Sequence, residues 1–237
     1  MPDSFSEIRK KALSKAKQKV KESVNPDLMI INAINNIEEL DKIINVMASR
    51  LREWFAIQNP LLERMISDNE KLIQIVLETT EPDKEMGKEF SADDEKAVKA
   101  LAAAAHTLVQ TKYFLLTYLE KVMLDNCKNV LVLAGPTIGA RLLREAGSLK
   151  RMASLQSSTI QLLGAEKALF RHIKTGAKSP KYGHIINHPL IIKAKKDEKG
   201  KAARALADKL SICARLDYFK GEFKAKEYLD ELTTKFS

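Results

Sequence analysis

Residues 27–58 read DLMIINAINNIEELDKIINVMASRLREWFAIQ. Ile30, Ile37, Ile44 and Leu51 recur every seven residues, and Ile34, Ala48 and Phe55 fill the complementary positions, with Asp41 interrupting them. Seven residues make two turns of an α-helix, so these columns stay on one face only if the segment is helical. A third column, Ala33, Leu40, Met47 and Trp54, widens the stripe beyond the narrow seam of a two-stranded coiled coil, and this helix is expected to meet more than one neighbour. Its length is roughly 45–50 Å at 1.5 Å per residue, and Asp27 is the expected N-cap.

Asn59-Pro60 breaks or kinks this helix. Leu61, Met65, Ile66, Leu72, Ile73 and Val76 make residues 61–79 another amphipathic stretch, and residues 80–91 form an acidic loop. Ser91 starts the next helix, with Asp93 and Asp94 in its first turn, where exposed N–H groups and the helix dipole favour negative charge. Residues 92–134 read as one long helix with Val98, Leu101, Ala105, Leu108, Leu115, Leu119 and Val122 on its apolar face. Two long helices with a shorter one near the turn predict a long antiparallel coiled-coil hairpin over 27–134, with an insertion at its tip. The hairpin either pairs two copies, with Ile30, Ile37, Ile44, Leu51, Leu101, Leu108 and Leu115 as the dimerisation seam, or folds inside one monomeric bundle. Residues 1–26 read as a basic N-terminal helix or linker closed by Asn25-Pro26.

Gly135-Pro136 ends the hairpin, and residues 135–237 form a compact basic helical domain. Thr137 is placed to cap a helix that runs through Ala146 and ends at Gly147; residues 157–175 give another helix, or a turn followed by a helix broken near Gly164, with Gly176 as the C-cap; a last helix runs from Gly200 to Phe219. The fold class is all-α, apart from a short extended candidate at His184–Ile186.

The formal net charge is +9, but residues 1–135 hold 19 Lys+Arg against 21 Asp+Glu, while residues 136–237 hold 21 against 10. A positive field confined to one region suits a phosphate backbone, and the asymmetry favours nucleic acid over a merely solvated basic surface. The charged N-terminus does not resemble a signal peptide. No apolar run approaches the ~18 residues of a membrane span, so no membrane contact is expected. Cys127 and Cys213 lack metal-ligand spacing and read as reduced, buried thiols of an intracellular protein.

Residues 141–181 hold nine Lys+Arg and two acids, Glu145 and Glu166. Lys167, Arg171, Lys174 and Lys178 are spaced to stack on one helix face, with Lys178 at or just past the Gly176 cap, and such a stripe can track a sugar–phosphate backbone. Leu169, Phe170 and Ile173 lie towards other faces and are expected to anchor the helix to a core. In the loop that follows, Tyr182 beside Lys181 either stacks on an unpaired base or packs within the loop. His184 and His188 read as hydrogen-bonded structural residues, and no chemistry is assigned to His172.

The run Gly164-Ala165-Glu166-Lys167-Ala168-Leu169-Phe170-Arg171-His172 is very similar to the signature of the Nop domain, as is the flanking Gly135-Pro136-Thr137-Ile138-Gly139-Ala140-Arg141-Leu142. Pro180-Lys181-Tyr182-Gly183-His184-Ile185-Ile186-Asn187-His188-Pro189 resembles the family's loop pattern, and Lys201-Ala202-Ala203-Arg204-Ala205-Leu206-Ala207 its closing helix. The resemblance implies an archaeal scaffold of box C/D ribonucleoproteins, which direct RNA 2′-O-methylation. It implies a Nop domain that binds a kink-turn guide RNA together with a ribosomal-protein-like partner, and a coiled coil that pairs two copies. It also implies location in the archaeal cytoplasm, or in the nucleolus of a eukaryote. Mapped residue by residue, Lys167, Arg171, Lys174 and Lys178 are the expected phosphate contacts, with Arg151 and Arg204 as further candidates. Lys181 and Tyr182 are expected near splayed bases, and Gly164, Ala165 and Glu166 against the protein partner. Residues 1–26 leave no room for the family's separate N-terminal domain, so fibrillarin contact is expected only through a domain absent from this chain.

Other readings are a splicing-type Nop scaffold and a coiled-coil adaptor with generic basic RNA binding. An enzyme is not expected: Gly135-Pro-Thr-Ile-Gly139 lacks the Gly-Lys-Ser/Thr of a phosphate loop, no Gly-x-Gly-x-x-Gly occurs, and no His/Cys/Asp set has metal spacing, so neither cofactor nor metal is implied.

Overall fold

The computed structural model describes residues 3–22, 25–78 and 86–236. Among these the chain is all-α: α1 Asp3–Glu22, α2 Pro26–Gln58, α3 Pro60–Met65, α4 Asn69–Glu78, α5 Ala92–Asn126, α6 Lys128–Ala134, α7 Pro136–Ala146, α8 Leu149–Ser154, α9 Ser157–Leu162, α10 Glu166–Thr175, α11 Pro189–Lys193, α12 Lys199–Tyr218 and α13 Ala225–Phe236. Two compact units result, one of Ala33–Leu119 and one of Met1–Asn32 with Glu120–Ser237.

In the Ala33–Leu119 unit, α2 and α5 run antiparallel. The Lys112 ammonium meets Asp41 at 3.1 Å, while Gln58 at the far end of α2 shares a recess with Val98 and Lys99 near the start of α5. The core joins Ile44, Ala48, Leu51 and Phe55 of α2, Leu72, Ile73 and Val76 of α4, and Val98, Ala102, Ala105 and Val109 of α5. The widened stripe of α2 therefore serves two neighbours, α4 and α5. The amphipathic stretch 61–79 is broken into α3 and α4 at Ile66–Asp68. Arg52 holds that elbow: its guanidinium donates to the Glu63 carboxylate (2.7 Å), the Ile66 carbonyl (2.7 Å) and the Asn69 side chain (3.2 Å). Lys112 also pairs with Glu70, whose other oxygen accepts the Tyr113 hydroxyl at 2.8 Å, tying α4 to α5. Residue 79 and residues 80–85 of the acidic loop lie outside the described residues.

The other unit buries its core between α6, α7, α8, α9 and α12. The long helix expected over 92–134 is divided at Cys127, whose backbone (φ −144°, ψ 57°) leaves the helical region. The cause is the buried Asp217 on α12. Its carboxylate accepts the backbone N–H groups of Asn129 (3.0 Å) and Val130 (2.9 Å) and the Asn129 side-chain amide (2.8 Å), so it caps a new helix, α6. The Asn129 side-chain oxygen accepts from the N–H groups of Lys224 (2.9 Å) and Ala225 (3.1 Å) at the start of α13. One Asp–Asn pair thus caps two helices.

Other sequence expectations shift in detail. Asp27 is buried near the start of α2, where its carboxylate accepts the N–H of Leu149 (2.9 Å) and the Asn25 amide (2.9 Å), because α8 supplies unpaired donors within reach. The α7 helix begins at Pro136 with Gly135 as N-cap rather than Thr137, and ends at Gly147 in the left-handed region (φ +83°). His184–Asn187 forms a 3-10 turn in place of an extended piece. Cys127 and Cys213 are buried, and burial, with the nearby Asp217 carboxylate, pushes both thiols up to about 12.

Candidate nucleic-acid interface

The glycines at 164 and 183 mark where two loops are stitched together. The Gly183 N–H donates to the Gln161 carbonyl at 2.8 Å, the His184 N–H to the Leu163 carbonyl at 2.8 Å, and the Gln161 side-chain amide to the Lys181 carbonyl at 2.6 Å. A Cβ on Gly183 would stand 1.8 Å from the Leu163 carbonyl oxygen, so only glycine fits. Gly164 lies over the His184 ring, 2.4 Å from where its own Cβ would be, and at φ +88°. The His184 Nε2 lies 3.2 Å from the Glu145 carboxylate, which also accepts from Arg144 at 2.9 Å. Burial works against the charged form of Glu145, but the hydrogen bonds of His184 and Arg144 outweigh it and hold the carboxyl below its ordinary range. The latch joins the segment before α10 to the 180–188 loop and so fixes both.

From this base α10 projects its cations. Lys167, Arg171 and Lys174 share one exposed face, and Lys174 lies over the Phe170 ring at 4.9 Å. The inner face is Ala168, Leu169 and His172, half-buried, with His172 Nδ1 bonded to the Ala177 carbonyl past the helix end. Phe170 and Ile173 do not anchor the helix as expected: they are 60% and 71% exposed. At about 100° per residue they fall on the flank between the inner face and the cations.

Gly176 ends α10 in the left-handed region (φ +68°), which turns Lys178 out of the helical stripe. Lys178 instead joins Lys181, Lys201 and Arg204 around a cleft of about 630 Å³, also lined by Gln161 and Asp197. Four cations against one acid suit a phosphate, with the guanidinium able to donate to two of its oxygens. Lys201 was missed in the sequence, although its spacing of three from Arg204 places both on one face of α12. Tyr182 is half-buried at the latch; Arg151 is exposed on α8, outside the cleft lining. Glu166 turns back to accept the Gly164 N–H at 2.8 Å, and Ala165 is half-buried at the start of α10. Of the residues expected to form a dimerisation seam, Ile37, Ile44 and Leu51 are buried within the hairpin's own unit, Ile30 is buried in the other, and Leu101, Leu108 and Leu115 are half-buried. The apolar α2 residues face this chain's own core. Among the described residues no three His, Cys, Asp or Glu side chains converge as a metal site.

His188, at the end of the same loop, is locked as a neutral ring: Nε2 bonds the Leu133 carbonyl at 2.9 Å and Nδ1 accepts the Leu190 N–H at 3.3 Å. Burial lowers its pKa from the ordinary 6.5, against the pull of the Leu133 carbonyl. The unfolded ring therefore takes up a proton before the folded one, and the stability that is whole above pH 6.5 is lost as pH falls towards the folded value. One such group can contribute a slope of at most ~1.4 kcal/mol per pH unit. Urea midpoints at pH 7.5 and pH 5.5 check this; His188→Gln should flatten the difference, and an equal slope in parent and variant would place the titrating group elsewhere.

The family model described as "Nop: snoRNA binding domain, fibrillarin" matches residues 36–85 and 77–237. The chain is 36% identical over 252 residues to an uncharacterized NOP5 family protein of Methanocaldococcus jannaschii, covering 96% of this chain and 59% of that protein. It is 35% identical over 235 residues to human nucleolar protein 56, covering 87% and 40%. The chain thus spans less than two thirds of the length of either relative. A chain from a crystal structure of a fibrillarin/Nop5p complex superposes with a TM-score of 0.61 at 26% identity, over 98% of this chain and 79% of that one. This corrects the expectation that fibrillarin contact belongs only to a domain absent here: nearly the whole of this chain has a counterpart in a protein crystallised as a fibrillarin complex.

Proposed function

This chain belongs to the Nop family, and we propose that it is the core scaffold of a box C/D guide ribonucleoprotein that directs RNA 2′-O-methylation. The proposed ligand is a kink-turn RNA presented together with its ribosomal-protein-like partner. The observation that carries this reading is the glycine latch, which holds the α10 cations and the Lys178–Lys181–Lys201–Arg204 cleft on one support. Phosphates are assigned to Lys167, Arg171, Lys174, Lys178, Lys181 and Arg204. The protein partner is assigned to the Gly164–Ala165 turn and to Phe170 and Ile173, whose apolar side chains stand exposed beside the cations. Composite recognition follows, because neither the apolar flank nor the cations alone offer a large surface. Residues 27–134 would then serve spacing and self-association. The exposed Ile43, Val46, Tyr113 and Phe114 are better supported as contacts for a second copy than the buried columns of α2. Such a particle works in the archaeal cytoplasm, or in the nucleolus if the source is a eukaryote.

The test is a gel shift on a kink-turn stem-loop with and without the kink-turn-binding protein. A supershift should require both components. Arg171→Glu should weaken it about tenfold and make the dependence of log affinity on log salt shallower by roughly one. Normal assembly of that variant at moderate salt would remove α10 from the interface, and equal binding to any RNA without the partner would reduce the role to generic basic RNA binding.

A further inference from the structure

At the end of α12, in the unit that carries the latch, the segment Tyr218-Phe219-Lys220-Gly221-Glu222-Phe223-Lys224 forms a knuckle of exposed rings and cations outside the lining of the basic cleft. Phe219 is 74% exposed and meets Tyr218 edge-on at 5.0 Å between centroids; Phe223 lies under the Lys128 ammonium at 5.8 Å. Glu222 is paired with Lys224 at 3.1 Å, which leaves Lys128 and Lys220 as the cations beside the rings. Tyr218 and Lys220 also border a recess of about 260 Å³ with Lys150 at its rim. The two acids inside it, Asp27 and Asp217, are turned to N–H donors of this chain.

The backbone here is unusual. The Gly221 N–H donates to the Leu216 carbonyl at 2.8 Å and the Lys220 N–H to the Asp217 carbonyl at 3.4 Å, the pattern that closes a helix through one left-handed residue. That residue is normally glycine. Here it is Lys220, at φ +55°, the one non-glycine residue with positive φ among the described residues, while the available glycine stands one position later. A lysine held in a conformation that favours glycine argues for a task for its side chain. Lys220 lines the recess together with Tyr218, and the exposed Phe219 ring is its neighbour in the chain.

We propose that this knuckle is a second nucleic-acid contact, specific for single-stranded RNA: Phe219 stacks an unpaired base, and Lys220, with Lys128 and Lys150, takes the flanking phosphates. Rings interleaved with cations suit a strand whose bases are free to leave the stack, since every base has a face to stack and every linkage a phosphate to neutralise. The choice of RNA as ligand rests on the reading given above; the site does not.

The test uses the full chain and a short labelled oligouridine without secondary structure. Phe219→Ala should weaken binding about tenfold. Lys220→Gly should raise the urea midpoint, because glycine relieves the left-handed strain, and yet weaken binding severalfold with a shallower salt slope. Both variants should form the same ternary complex as the parent on a blunt kink-turn stem-loop with its binding protein, and both should lose the affinity that the parent gains from a single-stranded extension of that stem-loop. Failure of the parent to assemble on the stem-loop would count against the scaffold reading alone, because oligouridine still reads the knuckle. Oligouridine binding unchanged in both variants, or a shift in sedimentation in place of a loss of RNA affinity, would overturn the proposal.

Discussion

Gly183→Ala is expected to destabilise the chain by about 3 kcal/mol and, under the proposed function, to abolish the supershift on the kink-turn stem-loop. The added carbon has nowhere to go, since the atom it meets is the Leu163 carbonyl oxygen and not the flexible end of a side chain. Making room requires the Gly183–Gln161 and His184–Leu163 hydrogen bonds to open, and each buried polar group left unpaired costs roughly 1–3 kcal/mol. Gly164→Ala should be milder in packing, because it meets the His184 ring, which can turn, though its left-handed backbone still resists a side chain. Urea unfolding and the stem-loop gel shift check both. A Gly183→Ala chain with the parent's midpoint and a normal supershift would show that the two loops are not paired as described.

The second large effect is expected at Asp217. Its alanine variant leaves the N–H groups of Asn129 and Val130 without their acceptor and the Asn129 amide with the Glu222 carbonyl alone, at 3.3 Å. Asn129 would then lose the orientation that lets its oxygen cap α13 through Lys224 and Ala225. Two helix starts fail from one substitution, and the loss should reach about 3–5 kcal/mol. Asp217→Asn should cost less, because one oxygen still accepts while the new amide faces a donor. Hydrogen exchange should locate the damage in α6 and α13, with the Ala33–Leu119 unit unaffected. Loss of protection confined to α12 would mean that the caps are satisfied by other groups.

These two sites also mark the limit of what the sequence discloses. The period of seven in α2 is legible because hydrophobic spacing is a local property of a helix, and so are the glycines that close α7 and α10. The division of the long helix at Cys127 is not local. It is imposed by a carboxylate 90 residues later in the chain, counting from Cys127 to Asp217, and no pattern around Cys127 announces it. The same holds for the cleft. Lys178 looks like the last member of a helical stripe until Gly176 turns it towards Lys201 and Arg204, whose approach depends on tertiary packing. Phe170 and Ile173 mislead for a related reason: an apolar residue in a helix suggests a core, but the half-buried face of α10 is narrow and is filled by Ala168, Leu169 and His172. The resemblance to the Nop signature located the segment correctly as a family feature; it could not show that Glu166 caps its own turn.

The two buried thiols have a practical consequence for labelling chemistry. Maleimides and iodoacetamides react with thiolates, and at neutral pH a thiol pushed up to about 12 presents almost none. Both sulfurs are also shielded from reagent. A single cysteine introduced on an exposed surface should therefore be modified alone in the native protein, with Cys127 and Cys213 left in place to keep their helices packed. A photocrosslinker or fluorophore attached at position 219 or 173 would then report separately on the knuckle and on α10.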